Sequence, residues 1–523
     1  MRNCRVYRFT SRAKLEDLVR VLVEGDIGGE TIEEISHDML RFGDRVVGPV
    51  MDILEKTNDD ETFYRLTYLI ECLQEPAFVR PLMKLLFTKR LKPALRGQLI
   101  NVLNSFDVDI SDTLLGSGPV GPRETAEKFA DLALRDENFL ETFLAEFQAS
   151  DLEHQLKMVN RIGALKSPRA VFLLFLIGSM RRSPSSVQAV MQLGRIRDGI
   201  ALSALRRLVT RTGEEEVRKQ ALRSIRRLEL LGVKRERRFF SFPEGPIYRV
   251  LVSRIDGMGE YTVTVSRFYD ERKNRLAMSI FHINENLGLI ECYGNFRSTR
   301  KNFDSSVSGL VKARVSLDVP YEYGVSLIRH GLYLTELQGG AYPAEMPLRE
   351  QIFSPRELYP ERHVFEIPGF SEEEVRDDLT LLEKTDRLID VPECSEWVIS
   401  SRKTFDYAEE IFRAGDPISD EILREPRRRN LLRKFIRECV YPLRETIRER
   451  LLFTAELMEK GKRSRRHVRA VLCAALNIGE EGNISFSHHP FIEALARESL
   501  KEAAEYLREG ADYRGFLDDF EDE

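Results

Sequence analysis

Apolar residues in the first half of the chain recur three and four positions apart, which is the spacing of one buried helix face. The segment 46–54 is echoed by the segment 78–86, and each carries a proline near its start, Pro49 and Pro81, 32 positions apart. A second amphipathic stretch follows each segment. The pattern therefore predicts pairs of helices that repeat along the chain.

The same spacing returns further on. Residues 163–166 (Gly-Ala-Leu-Lys) and 194–197 (Gly-Arg-Ile-Arg) are 31 positions apart, and the apolar positions that follow them superpose at the same shift. A period near 31 with two helices per unit is typical of a helical solenoid, because one helix pair buries its apolar stripe only against its neighbours.

These segments resemble HEAT repeats of the short bacterial type. The resemblance rests on the proline-led first helices and on second helices such as residues 217–222 (Val-Arg-Lys-Gln-Ala-Leu), and it extends over roughly residues 40–235. It implies a concave surface that presents side chains to a ligand. The stretch 107–123 interrupts the pattern and predicts two blocks of repeats with a bend.

The period changes after residue 238. Short runs rich in Val, Ile, Leu, Tyr and Phe, with Gly in two of the joins, predict a four-stranded antiparallel meander at 248–254, 261–268, 276–283 and 289–293. Two helices, 301–315 and 323–337, are expected to cover one face of this sheet. The result is a small α+β domain.

Helical spacing resumes towards the carboxyl terminus. A proline-punctuated region contains one predicted helix, 371–388. Further helices are predicted at 404–414, 426–460, 463–476 and 490–508, with Pro442 breaking or kinking the longest.

The predicted fold is thus mainly α with a smaller α+β domain. The predicted domains are a solenoid at 1–238, the α+β domain at 239–345, a proline-rich connection at 346–400 and a helical region with an acidic tail at 401–523.

Composition limits the class of chain and its cellular compartment more than it limits the function. The 523 residues are 42% apolar and 32% charged, which excludes a collagen-like chain and argues against wholesale disorder. The longest apolar run, 170–177, is too short to cross a bilayer, and the start lacks the apolar core of a signal peptide. The six cysteines form no CxxC pair. We expect a cytosolic protein with reduced thiols.

Motifs for chemistry are weak. Residues 116–121 match the GxGxxG spelling, but prolines and flanking helical repeats favour an inter-repeat loop over a dinucleotide site. His488 and His489 precede Pro490 and are interpreted as a helix-start loop rather than a metal pair. An enzyme site could be assembled from His330, Glu322 and Glu336 together with Cys292. The spacing of these residues along the sequence does not require them to meet.

The distribution of charge gives the clearest candidates for binding residues. Residues 151–238 hold 20 Lys and Arg against 8 Asp and Glu, and residues 424–469 hold 16 against 6. Basic helix faces bind phosphates and other anions, or remain solvated or paired with acidic segments of the same chain. The candidate anion-binding residues are Arg218, Arg223, Arg226, Arg227, Arg235, Arg428, Arg429, Arg465 and Arg466.

Three functions follow as hypotheses. The first is a non-enzymatic scaffold that binds a protein partner through its helical repeats. The second is a nucleic-acid or polyanion binder that uses the basic faces. The third is an enzyme with a site between the α+β domain and the solenoid. The sequence assigns no cofactor, no metal and no membrane span.

Overall fold

The computed structural model describes residues 18–19, 21, 29–57, 59–88, 91–106, 108, 122–236, 240–270, 272, 275–314, 316–395, 397–413, 417–479 and 482–514. The chain divides into two compact units. Unit 1 is Met1–Ser241 with Ala344–Leu348, and unit 2 is Phe242–Pro343 with Arg349–Glu523. The predicted class, mainly α with a smaller α+β part, is confirmed.

Unit 1 is built from α-helices. In chain order these are α1 Gly29–Met39, α2 Val47–Lys56, α3 Asp60–Leu73, α4 Val79–Thr88, α5 Pro93–Asn104, α6 Pro122–Arg135, α7 Glu137–Ala149, α8 Leu152–Ala164, α9 Ala170–Ser179, α10 Ser185–Leu193, α11 Gly199–Arg211 and α12 Glu215–Leu230. Pro49 and Pro81 lie in the first turns of α2 and α4, where a missing N–H costs little.

The helices of unit 1 stack in two rows. One row runs α2, α4, α6, α9 and α11, and each of these helices packs on the next. In the other row α3 packs on α5 and α5 on α7, and later α8 packs on α10 and α10 on α12. Each helix therefore buries its apolar stripe against a neighbouring pair, as the period of 31 predicts. The stacking continues on both sides of the interrupting stretch, whose GxGxxG segment lies outside the described residues.

Unit 2 contains one antiparallel sheet. Its strands are β1 Ile247–Ser253, β2 Glu260–Phe268, β3 Leu276–Asn284, β4 Gly288–Ser298 and β5 Ser316–Asp318, in the order β4-β3-β2-β1-β5. The four-stranded meander is as predicted. The short β5, which pairs with β1, was not predicted.

The prediction that two helices cover one face of the sheet is wrong. The helix α14, Tyr321–Leu337, lies over the face that carries Val250 and Val263, because a side chain at Gly324 would meet both valines. The helix α13, Arg300–Arg314, packs on the other face, where Phe303 joins the cluster around Leu251.

The apolar run Val250, Leu251 and Val252 in β1 explains why helices pack on both faces of the sheet. All three residues are buried, and an unbroken apolar run of this kind, without alternation, is typical of a strand covered on both sides.

The other helices, in chain order, are α15 Met346–Arg349, α16 Glu372–Arg376, α17 Leu379–Leu382, α18 Arg402–Ile411, α19 Asp420–Leu423, α20 Pro426–Phe435, α21 Arg444–Lys460, α22 Arg465–Ile478 and α23 Pro490–Arg508. The predicted break at Pro442 occurs: a π-helical turn, Ile436–Val440, and a 3-10 turn, Tyr441–Leu443, separate α20 from α21.

The predicted single helix 371–388 is wrong. It divides into α16, α17 and a 3-10 segment, Thr385–Asp390. The Asp378 carboxylate accepts a hydrogen bond from the Leu381 N–H and so starts a new helix. The Arg376 carbonyl accepts side-chain amide hydrogen bonds from Asn477 and Asn483. These contacts replace the hydrogen bonds of a continuous helix.

Candidate anion-binding surfaces and clefts

The helix α12 turns a basic face outward. Arg218, Arg223, Arg226 and Arg227 are all exposed, whereas the opposite face buries apolar residues such as Val217, Ala221, Ile225 and Leu228. We call these four arginines, with Leu222 and Leu230 beside them, the α12 ridge. Their spacing of three, four and eight positions keeps them on one broad side of the helix.

The arginines of the α12 ridge make no ion pair with any residue that the structure describes. The neighbouring Lys219, by contrast, lies 2.9 Å from Glu216, and Glu229 is paired with Arg206 at 2.6 Å. Leu230 is 89% exposed and Leu222 is also exposed. The ridge thus combines unpaired cations with uncovered apolar side chains. Arg235, in the segment after the helix, is likewise exposed.

The four predicted arginines of unit 2 divide into two kinds. Arg428 is half-buried and pairs with Glu425 at 3.2 Å. Arg465 donates to the Gly369 carbonyl at 2.7 Å and lies 4.9 Å above the Phe370 ring. Arg428 is thus paired within the first turn of its own helix, whereas Arg465 contacts the distant segment 369–370. Arg429 and Arg466 are exposed and have no ion pair within the described part of the chain.

His330 lines a cleft of about 610 Å³ in unit 2. The cleft lies among α14, α21 and the segment 362–365, and its walls are largely apolar, including Leu327, Phe365 and Phe453. On α21, Arg450 donates to Glu285 and to the Gly257 carbonyl, each at 2.9 Å. These contacts fix α21 beside the sheet.

A buried hydrogen-bond chain supports the His330 side of this cleft. The Glu456 carboxylate accepts from His363 Nε2 at 2.7 Å and from the Glu366 N–H at 2.9 Å, and it is almost fully buried. The backbone N–H of His363 donates to His330 Nδ1 at 3.3 Å. The proton of neutral His330 is therefore assigned to Nε2.

Burial, together with the nearby His363 and Arg362, lowers the pKa of His330 to about 4. His330 is consequently neutral at pH 7 and presents a hydrogen-bond donor rather than a charge.

The structure does not assemble the remaining residues of the predicted enzyme arrangement around this cleft. Of the four residues in that arrangement, which are Cys292, Glu322, His330 and Glu336, only His330 is among the described residues that line the cleft. Cys292 is buried in β4, and Glu336 accepts a hydrogen bond from the Tyr342 hydroxyl at 2.7 Å. Glu322 lies in the first turn of α14. No Ser, Thr or Cys occurs among the described residues that line the cleft.

Sequence reasoning missed a second cleft in unit 2, of about 670 Å³, beside the π-helical turn. Its arginines, Arg433 and Arg437, were counted in a basic block but not singled out. The signal that identifies them is their four-residue spacing from each other and from Arg429 and Tyr441, which places them on one helix face.

Cysteine and metal chemistry add little to these sites. Within the described residues, Cys72, Cys394 and Cys473 are free thiols. Burial raises the pKa of Cys473 to about 11 and that of Cys394 further, so neither is a reactive thiolate at neutral pH. In the same described residues no group of three or more His, Cys, Asp or Glu side chains is arranged to hold a metal ion. No described helix combines the length and apolar character needed to cross a membrane.

Comparison with known proteins does not identify a family. No protein-family model matches the chain, and no curated protein matches it. One similar solved chain comes from a structure titled "Computational Design of Self-Assembling Cyclic Protein Homooligomers". It is 15% identical over 42% of this chain and 94% of that chain, with a TM-score of 0.12, and carries no argument about fold or function.

Proposed function

We propose that the protein is a non-enzymatic scaffold whose stacked helix pairs bind another protein, and that the α12 ridge receives an acidic segment of that partner. The resemblance of unit 1 to HEAT repeats supports the scaffold role, since stacked helix pairs present an extended surface. The free thiols of Cys72, Cys394 and Cys473 fit a reducing compartment, and on that ground we propose a cytoplasmic location.

One observation carries the proposal: the α12 ridge has arginines without a described carboxylate partner and exposed leucines on the same face of one helix. Arginine and large apolar side chains together are typical of a protein interface, where a buried apolar centre is framed by charge. A nucleic-acid surface would use the arginines but would gain nothing from Leu230. The ridge therefore favours an acidic protein segment over a phosphate backbone.

The test uses the full-length chain and a double charge reversal, Arg223→Glu with Arg226→Glu. Proteins captured from nuclease-treated lysate are identified, and the most abundant one is purified for affinity measurement. We expect the reversal to weaken this affinity at least about tenfold, because two interface cations become repulsive. The control, Lys403→Glu with Arg413→Glu, makes the same charge change at exposed residues of unit 2.

A second variant, Leu222→Ser with Leu230→Ser, separates protein binding from polyanion binding. It should weaken the protein complex while leaving the charge unchanged. The proposal fails if the control pair weakens the complex as much as the reversal does. It also fails if nuclease abolishes capture, or if the serine variant binds as tightly as the original chain.

A further inference from the structure

The break between α20 and α21 creates a concave site. Pro442 has no N–H to continue the helical hydrogen bonds, and the chain widens into the π turn before it and tightens into the 3-10 turn around it. Single π turns inside helices frequently lie at functional sites. Here the turn forms one wall of the cleft of about 670 Å³, a volume in the range of small-molecule sites.

One wall of this π-turn cleft is cationic. The Arg433 Nε is buried and has no hydrogen-bond partner in the described residues. Arg437, one turn further along, is exposed. Neither guanidinium is paired with a carboxylate within the described part of the chain.

The acidic residues that flank these arginines in the sequence contact other groups. No Asp or Glu is among the described lining residues. Glu438, beside Arg437 in the sequence, accepts a hydrogen bond from the Tyr407 hydroxyl at 2.7 Å and lies 3.9 Å from Lys434 Nζ. Glu425 is occupied by Arg428. Two arginines that line a cleft with no counter-ion among the described residues favour an anionic ligand, and guanidinium groups match phosphate oxygens well.

The rest of the cleft wall is largely apolar and aromatic. Ile436 is buried, and the rings of Tyr441 and Phe486 meet edge to face, with centroids 5.4 Å apart. Arg444 lies 4.8 Å above the Tyr441 ring and fixes its position. Such a wall offers flat apolar contact to a planar ring. The Asn430 amide and the Ser487 hydroxyl, also in the lining, supply neutral hydrogen-bonding groups.

We propose that the π-turn cleft binds a small molecule in which a phosphate group is joined to a planar heteroaromatic ring, as in a nucleotide. Arg433 and Arg437 hold the phosphate. Tyr441 and Phe486 contact the ring, and the amide of Asn430 hydrogen-bonds to its edge. This site lies in unit 2 and stands independently of the scaffold function proposed for unit 1.

The test measures binding of a fluorescent methylanthraniloyl ADP to the full-length chain and its displacement by unlabelled ADP, adenosine and inorganic phosphate. ADP should displace the probe at least about tenfold more effectively than adenosine or phosphate, because only ADP satisfies both walls. Arg433→Gln and Arg437→Gln should each weaken binding about tenfold, the effect of losing one charge-assisted contact.

The matched control is Arg466→Gln, an exposed arginine on α22 that is not in the cleft lining. It should leave the affinity unchanged, and thermal unfolding of all three variants should confirm that they remain folded. Phosphate as effective as ADP would overturn the proposal, as would an equal loss in Arg466→Gln or no binding at millimolar ADP. A short single-stranded oligonucleotide that binds far more tightly than ADP would also overturn it, because the cleft would then serve a nucleic acid.

Discussion

Two neighbouring histidines occupy opposite environments at the start of α23. His488 is exposed, and its Nδ1 lies 2.8 Å from the Ser485 hydroxyl oxygen. His489, the residue before Pro490, is completely buried. Burial lowers the pKa of His489 to about 4, against an ordinary value of 6.5. The sequence placed both residues before a helix but contained no signal that only one of them is inside the protein.

The buried His489 predicts a pH dependence of stability. Between pH 6.5 and pH 4 the unfolded chain binds a proton at this position that the folded chain does not, so acidification in this window favours unfolding. In His489→Leu this contribution is absent. The loss of unfolding free energy between pH 7 and pH 4.5, measured by urea denaturation, should be smaller than in the original chain by about 2 kcal/mol.

His488→Leu is the matched control and should lose as much stability on acidification as the original chain. Equal losses in His489→Leu and in the original chain would show that His489 titrates normally. His330, whose pKa is lowered in the same direction, remains in all three proteins and cancels in the comparison.

The arginines show which properties of a single residue can be predicted from the sequence. Sequence identifies a guanidinium and its local charge balance, and on α12 this was enough to find an exposed basic face. It does not identify a tertiary partner: Arg465 reaches Gly369 and Phe370, 96 and 95 positions away. Arg428 looked equivalent to Arg429, yet only Arg428 is half-buried against Glu425. Long-range contacts such as those of Arg465 have no signature in residue spacing, whereas the Arg428 pair is local, three positions apart.

At the scale of elements, the repeat places a glycine at a close approach of neighbouring helices. A side chain at Gly163 in α8 would come within 2.6 Å of Gln192, and one at Gly194, at the end of α10, within 2.5 Å of Ser224 in α12. The two glycines are 31 positions apart and have the same role in successive pairs. The period visible in the sequence thus reflects a real packing constraint.

Gly194→Ala tests this constraint. The added methyl group would meet the Ser224 side chain and, at 3.2 Å, its Cα, so α10 and α12 must separate. We expect a loss of about 1–3 kcal/mol in the free energy of unfolding, measured by chemical denaturation. Gly213→Ala is the control, since no atom lies within 4 Å of its added methyl group, and should change stability by about 0.5 kcal/mol or less.

A double-mutant cycle with Ser224→Gly locates the clash. If the steric contact is responsible, the two substitutions together should cost at least about 1 kcal/mol less than the sum of their separate effects. Strict additivity, or a neutral Gly194→Ala, would contradict the close approach of these helices.

Helices and strands with a clear apolar periodicity could be predicted from the sequence. Those whose bounds depend on contacts with distant residues could not. The helices of unit 1 and the strands β1 to β4 follow from apolar spacing. The division of 371–388 depends on Asn477 and Asn483, which lie about a hundred positions further along the chain. The three-residue β5 exists only because β1 offers it a partner, and a stretch so short has no periodicity to detect.

At the scale of the whole molecule, each unit has its own buried core and its own buried polar network. In unit 1, Asp136 forms a buried ion pair with Arg96 of α5 and caps α7 through the Phe139 N–H at 3.0 Å. In unit 2, Glu456 holds His363 and the Glu366 N–H. Neither network has a signature in the sequence, because the partners are 40 and 93 positions apart.

The chain contains a single tryptophan, Trp397, which distinguishes the two units in solution. It is buried in unit 2, and its indole N–H donates to the Ile255 carbonyl at 2.9 Å. Its fluorescence therefore reports the unfolding of unit 2, whereas far-ultraviolet circular dichroism reports the helices of both units. Compact units with separate cores commonly unfold in separate transitions.

Two substitutions should then affect different transitions. Asp136→Ala leaves Arg96 buried without its partner, which costs about 3–5 kcal/mol, and should shift the dichroism of unit 1 without moving the Trp397 transition. Glu456→Ala leaves two donors unpaired, at a cost of about 2–4 kcal/mol, and should move the Trp397 transition. A Trp397 transition that shifts equally in both variants would mean that the two cores unfold as one, since a loss confined to unit 1 reaches Trp397 only if the units are energetically coupled.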